Sequence, residues 1–467
     1  MKTARKNGHK VRVGGSRHSA VRAVFGDEID DVIRIELDGE LREIKHLGNG
    51  LFEAGAGCNL GVNPMDPNSN KKNSFDQHVD KLGYALPILG GLSHQTIGGF
   101  MSTSSAGGSV YFNFAESVVS FTIVDGMGDV RTLTKGTDEF NAAGVSMGLF
   151  GIIVKVQLQC QQKFNVRGTE QTVIFEDSSM KNGEAYKNGS IENQYFHSLW
   201  IPKENVDEGK VLEFKGNQNT NLSEIVVPYE HTLGSYCENI AATAGLITAN
   251  WFDNSRFEWL RPISDYILDL INPVDKEPRK FNDVWWKTLP NDDNAEIDTV
   301  IKVQFTEIWI DIDRSDEVIK CLSNMFAQNP ATIGSFAIEI YPAKKSPFWL
   351  SMSYGYDVIR IDPYWLESNL RGDMEEYFTN FWNVLLTQFP SSRLHWGKHF
   401  PKLGSTFDSS NNKAKPSSRT IGGDYCEKSY PKFSEWLTLR QKFDPFNIFL
   451  TSYWAGLLNI NQEKEIA

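Results

Sequence analysis

From Leu86 to Ser109 the chain reads LPILGGLSHQTIGGFMSTSSAGGS, a stretch crowded with glycine, serine and threonine. Small residues let a backbone come close to a ligand, and the hydroxyls can bind phosphate or ribose. A flexible serine/glycine linker is the plain alternative, but Ile97, Phe100 and Met101 do not suit one. A shorter segment has the same character. The run KVRVGG alternates apolar and polar positions and ends on Gly14-Gly15, so a strand enters a tight turn. Val13-Gly14-Gly15-Ser16-Arg17-His18-Ser19 then offers successive backbone N–H groups, a concavity that binds phosphate. Alone, a glycine pair after a strand is usually only a turn, and His18 an ordinary histidine. Two phosphate-type loops in one domain imply a dinucleotide held along its length.

Around these loops, residues 1–160 read as short strands broken by glycine turns: DVIRIEL, LREIKHL, LFEAGAG and GIIVKVQLQC, with SVVSFTIVDGMGDVRTLTK as a hairpin. SFDQHVDKLG reads as a short helix capped by Ser74 and ended by Gly83, with Phe75, His78, Val79 and Leu82 on one face. Strands interleaved with short helices predict an α+β domain. From residue 161 the strands lengthen and carry aromatics (YFHSLWI, TVIKVQFTEIWIDI, GSFAIEIY, FWLSMSYGYDVIRIDPYW). They alternate with the helix candidates SDEVIKCLSNMFAQ and MEEYFTNFWNVLLTQF. A second α+β domain on one large sheet is expected. The asparagine-rich stretches NPMDPNSNKKN and DSSNNKAKPSS read as surface loops.

Composition narrows the function. A formal net charge of −12 with no Lys/Arg-rich run argues against a nucleic-acid partner. The five cysteines are scattered and none forms a C-x-x-C pair, so neither a disulfide framework nor a metal site is indicated. No apolar run approaches the roughly 18 residues of a membrane span. The basic N-terminus MKTARKNGHK lacks the apolar core of a secretory signal, so a cytoplasmic protein without membrane insertion is expected.

Four separated motifs point further. VRVGGSRHS, LGGLSHQTIGGFMSTSSAGG, SMGLFGIIVKVQL, and the pair RLHWGK and YPKFSEWLTLRQKFDPFNIF occur in that order. Together they resemble the aldonolactone and alditol oxidase branch of the vanillyl-alcohol-oxidase superfamily, flavoproteins with a PCMH-type FAD-binding domain. The resemblance implies an α+β protein: a two-part FAD domain and an inserted substrate domain with a large antiparallel sheet. The first FAD part would be residues 1–160, the substrate domain 161–405, and 406–467 the segment returning to the FAD domain. It implies FAD joined through its 8α-methyl to His18. Lining the cofactor would be Val13, Gly14, Gly15, Ser16, Arg17, His18, Ser19, Gly90, Gly91, Thr96, Gly99, Thr103, Ser104, Ser105, Ala106 and Ile153. The family's second loop usually reads Thr-Gly-Thr-His-Gly. Here Ala106 stands where the histidine would be.

The same resemblance marks a rewritten substrate pocket. The segment IEIYPAKKSPFWLSMSYGYDVIRIDPYW aligns without a gap on the family's Glu-x-Arg … Trp-Leu-Ser … His-x-Thr-Trp pattern. Glu339 keeps the acid and Lys398 of HWGK the cation. Tyr341 replaces the arginine, Asp362 the histidine and Tyr364 the threonine, while Gly91 replaces a substrate-contacting serine. By default Glu339 and Asp362 would be solvated acids and Lys398 a surface lysine. With the resemblance, Lys398 suits charge stabilisation near the flavin, and Glu339 or Asp362 suits proton transfer. Two acids beside one lysine predict a neutral to negative pocket.

The implied reaction is hydride removal from a hydroxylated small molecule such as a polyol or sugar lactone. Gly90 stands where a small residue admits oxygen in this family, so O2 is the expected acceptor and hydrogen peroxide the product. An amine or other non-sugar substrate, another electron acceptor, and flavin binding without turnover are the alternatives. The family's preceding strand is not seen before VRVGG: either the natural start is longer, with room for a targeting signal, or this lineage has lost the strand.

Overall fold

The computed structural model describes residues 1–230, 273–290, 303–329, 332–334, 337–367, 369, 372–409 and 418–461, besides Ile263 and Tyr266. Its first strands follow the alternating runs: β1 (Lys10–Gly14), β2 (Val32–Glu36), β3 (Ile44–Gly48), β4 (Leu51–Gly55), β5 (Tyr84–Ala85), β6 (Val118–Val124), β7 (Val130–Thr134), β8 (Ile152–Gln159) and β9 (Gln161–Gln162). β1 and β2 pair in parallel. A five-stranded antiparallel sheet has the order β3-β4-β8-β6-β7. The β6–β7 hairpin turns where the sequence placed it. Asp125 Oδ1 accepts from the N–H groups of Met127 and Asp129, both at 2.9 Å, and Gly128 takes φ +88°.

Local departures have local causes. LREIKHL becomes a strand only from Ile44, because Gly39–Arg42 forms a 3-10 turn in which Leu41 N–H donates to Asp38 O. The helix Phe75–Lys81 forms, but Ser74 does not cap it with its side chain. Within the glycine-rich run lies a helix, Ile97–Ser102, whose N-cap Thr96 accepts from Gly99 N–H through Oγ1. Arg12 occupies a polar position of β1 yet is buried. Its guanidinium donates to the carbonyls of Ala23, Val24, Met147 and Phe449, which joins remote parts of the chain. C-terminal residues pack on the same strand: Val11 N–H donates to Ile448 O at 2.9 Å.

The later strands are β10 (Asn165–Ile174), β11 (Tyr195–Ile201), β12 (Lys210–Asn219), β13 (Arg279–Val284), β14 (Val303–Phe305), β15 (Ile308–Asp311), β16 (Ile338–Ala343), β17 (Val358–Leu366) and β18 (Arg393–Leu394). They build one nine-stranded sheet in the order β13-β10-β12-β11-β16-β17-β15-β18, with β14 against β17. Every pairing is antiparallel. The expected strand TVIKVQFTEIWIDI divides at Thr306-Glu307 into β14 and β15. Its residues 299–302 lie outside the described residues, as do 410–417 of the asparagine-rich DSSNNKAKPSS.

Side chains alternate across a strand, so each strand of this sheet has two faces. One face carries Trp200, Ile308, Ile340 and Ile361 and packs against the helices Ser315–Gln328 and Met374–Gln388. Trp200 meets Phe326 at 5.2 Å, and Trp382 Nε1 donates to Thr306 Oγ1. The other face meets the glycine-rich run: Ser109 N–H donates to Pro342 O, and Arg360 Nη1 to Ala106 O at 2.7 Å. Among the described residues no helix is long and apolar enough to cross a membrane.

Candidate active site

Where β1 ends, the chain turns through Gly14–Ser19 beneath the N-terminus of helix Ile97–Ser102. The two loops touch so closely that a Cβ on Gly15 would collide with Thr96 Oγ1. Asn59 Nδ2 donates to Ser16 Oγ (2.9 Å) and to His94 O (2.8 Å), while Ser16 Oγ donates to His94 O (2.6 Å). Arg17 holds φ +65°, a left-handed conformation uncommon outside glycine. Between the loops lies a cavity of about 680 Å³, within the range of cofactor sites. Val13, Gly14, Gly15, Ser16, Arg17, His18, Ser19, Thr96, Gly99, Thr103 and Ile153 line it, joined by Gly148, Trp396 and Gly397. Gly90, Gly91, Ser104, Ser105 and Ala106 do not. The last three border a separate hollow with Phe100 and Phe112, and Ser104 Oγ is hydrogen-bonded to Ser351 Oγ.

His18 stands at the Trp396–Gly397 end of this cavity. Its ring lies 4.3 Å from that of His94, and Nε2 is buried without a hydrogen-bond partner. Burial pushes its pKa down to about 3, with His94 and Lys398 adding to the shift. A neutral imidazole with an unclaimed nitrogen, at the end of a cavity walled by backbone, fits FAD.

Next to this end lies the second face of the large sheet. Register pairs Glu339 with Asp362 and Tyr341 with Arg360, and all are buried. His197 Nε2 donates to Glu339 Oε1 (2.8 Å), and the Tyr364 hydroxyl donates to Oε2 (2.5 Å). Arg360 lies 3.9 Å from the Tyr341 ring centre and 4.9 Å from that of Trp309. Its Nη2 reaches Asp362 Oδ2 at 2.6 Å and Glu307 Oε1 at 3.2 Å. Two buried carboxyls thus share one guanidinium. Burial would raise Glu307, but Arg360, His395 and Lys398 outweigh it and hold the group at about 2. Asp362 goes the other way: burial, with Glu307 and Glu339 nearby, raises its pKa well above the ordinary carboxyl value, opposed by Arg360.

Lys398 completes the cluster. Its ammonium sits 3.6 Å from the centre of the Phe305 ring. Burial lowers its pKa, opposed by Glu307 and Asp362. The lysine's charge is felt both by His18 and by Glu307. Glu339, Tyr341, Asp362, Tyr364 and Lys398 are therefore neighbours, as the gapless alignment implied. Arg360 and Glu307 belong to the same cluster; their charges are opposite, so they leave its formal balance unchanged. Arg360 could have been found: in an alternating strand it shares a face with Asp362 and Tyr364. His197 and Glu307 enter only through strand pairing, which no local pattern announces.

The fold and the cavity are those of an FAD-binding protein. Residues 1–134 match the FAD binding domain, and residues 156–457 match D-arabinono-1,4-lactone oxidase. The chain belongs to the D-arabinono-1,4-lactone oxidase family. D-arabinono-1,4-lactone oxidase of Kluyveromyces lactis is 34% identical over 123 residues, 26% of this chain and 23% of that protein. L-gulono-1,4-lactone dehydrogenase of Mycobacterium tuberculosis is 22% identical over 461 residues, covering 97% and 92%. In fold the chain is similar to the crystal structure of cholesterol oxidase from Brevibacterium sterolicum. The TM-score is 0.70 at 13% identity, over 97% of this chain and 91% of that one. The expected α+β, PCMH-type fold with a large antiparallel sheet holds.

Proposed function

We propose that this chain oxidises a hydroxyl of a sugar lactone or related polyol, with FAD joined covalently to His18 and molecular oxygen as acceptor. The observation that carries this reading is the place of Lys398. A half-buried ammonium, with an aromatic face against it, stands between the imidazole that would hold the cofactor and a cluster of carboxyls. When bound, FAD supplies the hydride acceptor. The protein's own part is orientation and charge. Lys398 offers positive charge where an oxyanion or reduced ring would need it, in a site shielded from water. Glu339 and Tyr364 supply an acceptor for the hydroxyl proton, while Asp362 is paired with Arg360. Residues 1–160 and 406–467 would form the FAD domain and 161–405 the substrate domain, in a cytoplasmic protein.

A second reading has the electrons passing to an acceptor other than oxygen. It is favoured by Phe100: a Cβ on Gly90 would stand 2.8 Å from the ring, so the space beside Gly90 is already occupied. Anaerobic mixing with a panel of lactones, polyols and amines tests the substrate class. Bleaching by lactones or polyols supports it, and bleaching by amines alone rejects it. Peroxide formed on readmitting air separates the acceptors. Acid-precipitated wild-type protein should keep its flavin and His18→Ala should lose it. Equal retention in both removes the covalent assignment.

A further inference from the structure

Glu339 is held at both of its oxygens, by His197 at Oε1 and by the Tyr364 hydroxyl at Oε2. A carboxylate has no proton to give, so both neighbours donate to it. These residues differ in access. Glu339 is 2% exposed and His197 7%, whereas Tyr364 is only partly covered. The Tyr364 ring stands edge-on to Phe305 with 5.3 Å between centroids, and the Lys398 ammonium lies against that same Phe305 ring. Tyr364 is thus the more exposed of the two hydrogen-bond neighbours of Glu339, and it shares the Phe305 ring with Lys398.

Building on the reading of this chain as an alcohol-oxidising flavoenzyme, we propose that Tyr364 is a catalytic residue that relays the substrate hydroxyl proton to Glu339, with His197 a positioning residue. The substrate O–H bond breaks as a new Tyr364 O–H bond forms. The former Tyr364 proton passes to Glu339 Oε2, which becomes a neutral carboxylic acid. Bound FAD would supply the acceptor for the C–H electron pair, taken as hydride, so charge and electrons would balance with no persisting phenolate. His197 occupies Oε1 and so leaves Oε2 for the relay. Among the described residues, the charged and titratable groups around this chain include Tyr341 beside Glu339, Arg360 and Asp362 on β17, Glu307 ahead of β15, and His395 and Lys398 on the closing segment.

Tyr364→Phe removes the hydroxyl and keeps the ring on Phe305, so the fold should survive. Two measurements on the FAD-loaded protein test the relay. One follows Glu339 protonation by infrared spectroscopy without substrate, using Glu339→Gln to assign the band. The other follows anaerobic flavin reduction across pH with the lactone and polyol panel. In Tyr364→Phe the Glu339 titration should move to higher pH, because a hydrogen bond to the charged form is lost. Reduction should slow about a hundredfold with KM little changed, the scale of lost general acid–base catalysis. His197→Asn should move the titration and the pH profile together while slowing reduction less. Wild-type reduction rates in Tyr364→Phe, or an unmoved titration, overturn the relay. If nothing in the panel reduces the wild type, the functional reading fails. The titration then still decides the hydrogen-bond chain: movement keeps it and no movement overturns it.

Discussion

The two faces of the large sheet are built from the same strands and obey different rules. On β17, Ile361 points to the helices and pairs in register with Ile308 and Ile340. One residue earlier, Arg360 points to the cofactor side, between Tyr341 and Trp309. Both are buried, Ile361 at 0% and Arg360 at 3% exposure. The helix face is stabilised by apolar area removed from water, which tolerates modest changes of shape. The cofactor face buries charge, and every member depends on the partners that remain.

The largest effect should come from breaking the second face at Arg360. Arg360→Met keeps much of the side-chain volume over Tyr341 but removes the ion-pair partner of Glu307 and Asp362 and leaves Ala106 O without its donor. Removing one partner of a buried ion pair typically costs about 3–5 kcal/mol. Denaturant unfolding should show a loss of that size. A change within 0.5 kcal/mol would mean that the charged face is no more interdependent than the apolar one.

Lys398 belongs to the same face but should act on rate rather than stability. Lys398→Met removes a cation whose burial the fold must already bear, so unfolding should change little. Flavin reduction should fall by about a hundredfold or more, the scale of losing a charge contact of about 3 kcal/mol in a transition state. Stopped-flow reduction with flavin content held equal checks this. Wild-type rates would place Lys398 outside the reacting centre.

The same contrast explains what could be read in the sequence. Alternation in IEIY and VIRIDPYW marked both strands, and glycine spacing marked both cofactor loops, because those signals are local. Alternation also suggests that the polar residues face water. Here it misleads: Glu339, Arg360 and Asp362 alternate with isoleucines, yet all three are buried, and the glycine-rich run lies against Arg360. Which element covers a face is tertiary information. The resemblance supplied it for Glu339, Lys398, Asp362, Tyr341 and Tyr364, positions where the family pattern had a counterpart. It was silent on Arg360, His197 and Glu307. The loss of arginine at position 341 read as a loss of positive charge. The structure instead places a guanidinium over that tyrosine from the register-paired position of the neighbouring strand.

Acid and base should separate the two carboxyls that share Arg360. Glu307 has a depressed pKa in the fold, so its stabilisation is full above its ordinary value of 4.5 and is lost as pH falls towards about 2. Asp362 has a raised pKa, so the fold keeps a proton that the unfolded chain releases above 3.8. Stability attributable to Asp362 is then present at low pH and lost as pH rises, by about 1.4 kcal/mol per pH unit while the proton stays on. Asp362→Asn mimics the protonated form and should abolish that decline. Between pH 5 and 7 the variant should gain on the wild type steadily in denaturant unfolding. Parallel curves would mean that Asp362 is ionised beside Arg360.

The smallest effect should come from the helix face, at Ile361→Val. The substitution removes one methylene from a fully buried side chain packed among Ile308, Ile340 and the helix layer. Such a change typically costs about 0.5–1.5 kcal/mol, with no charge left unpaired. Because side chains alternate, the missing methylene lies across the sheet from Arg360 and Asp362. Flavin content, the reduction rate and the pH dependence of stability should all match the wild type. A change in reduction rate approaching that of Lys398→Met would show that the two faces are mechanically coupled, and that the apolar layer does more than hold the charged one in register.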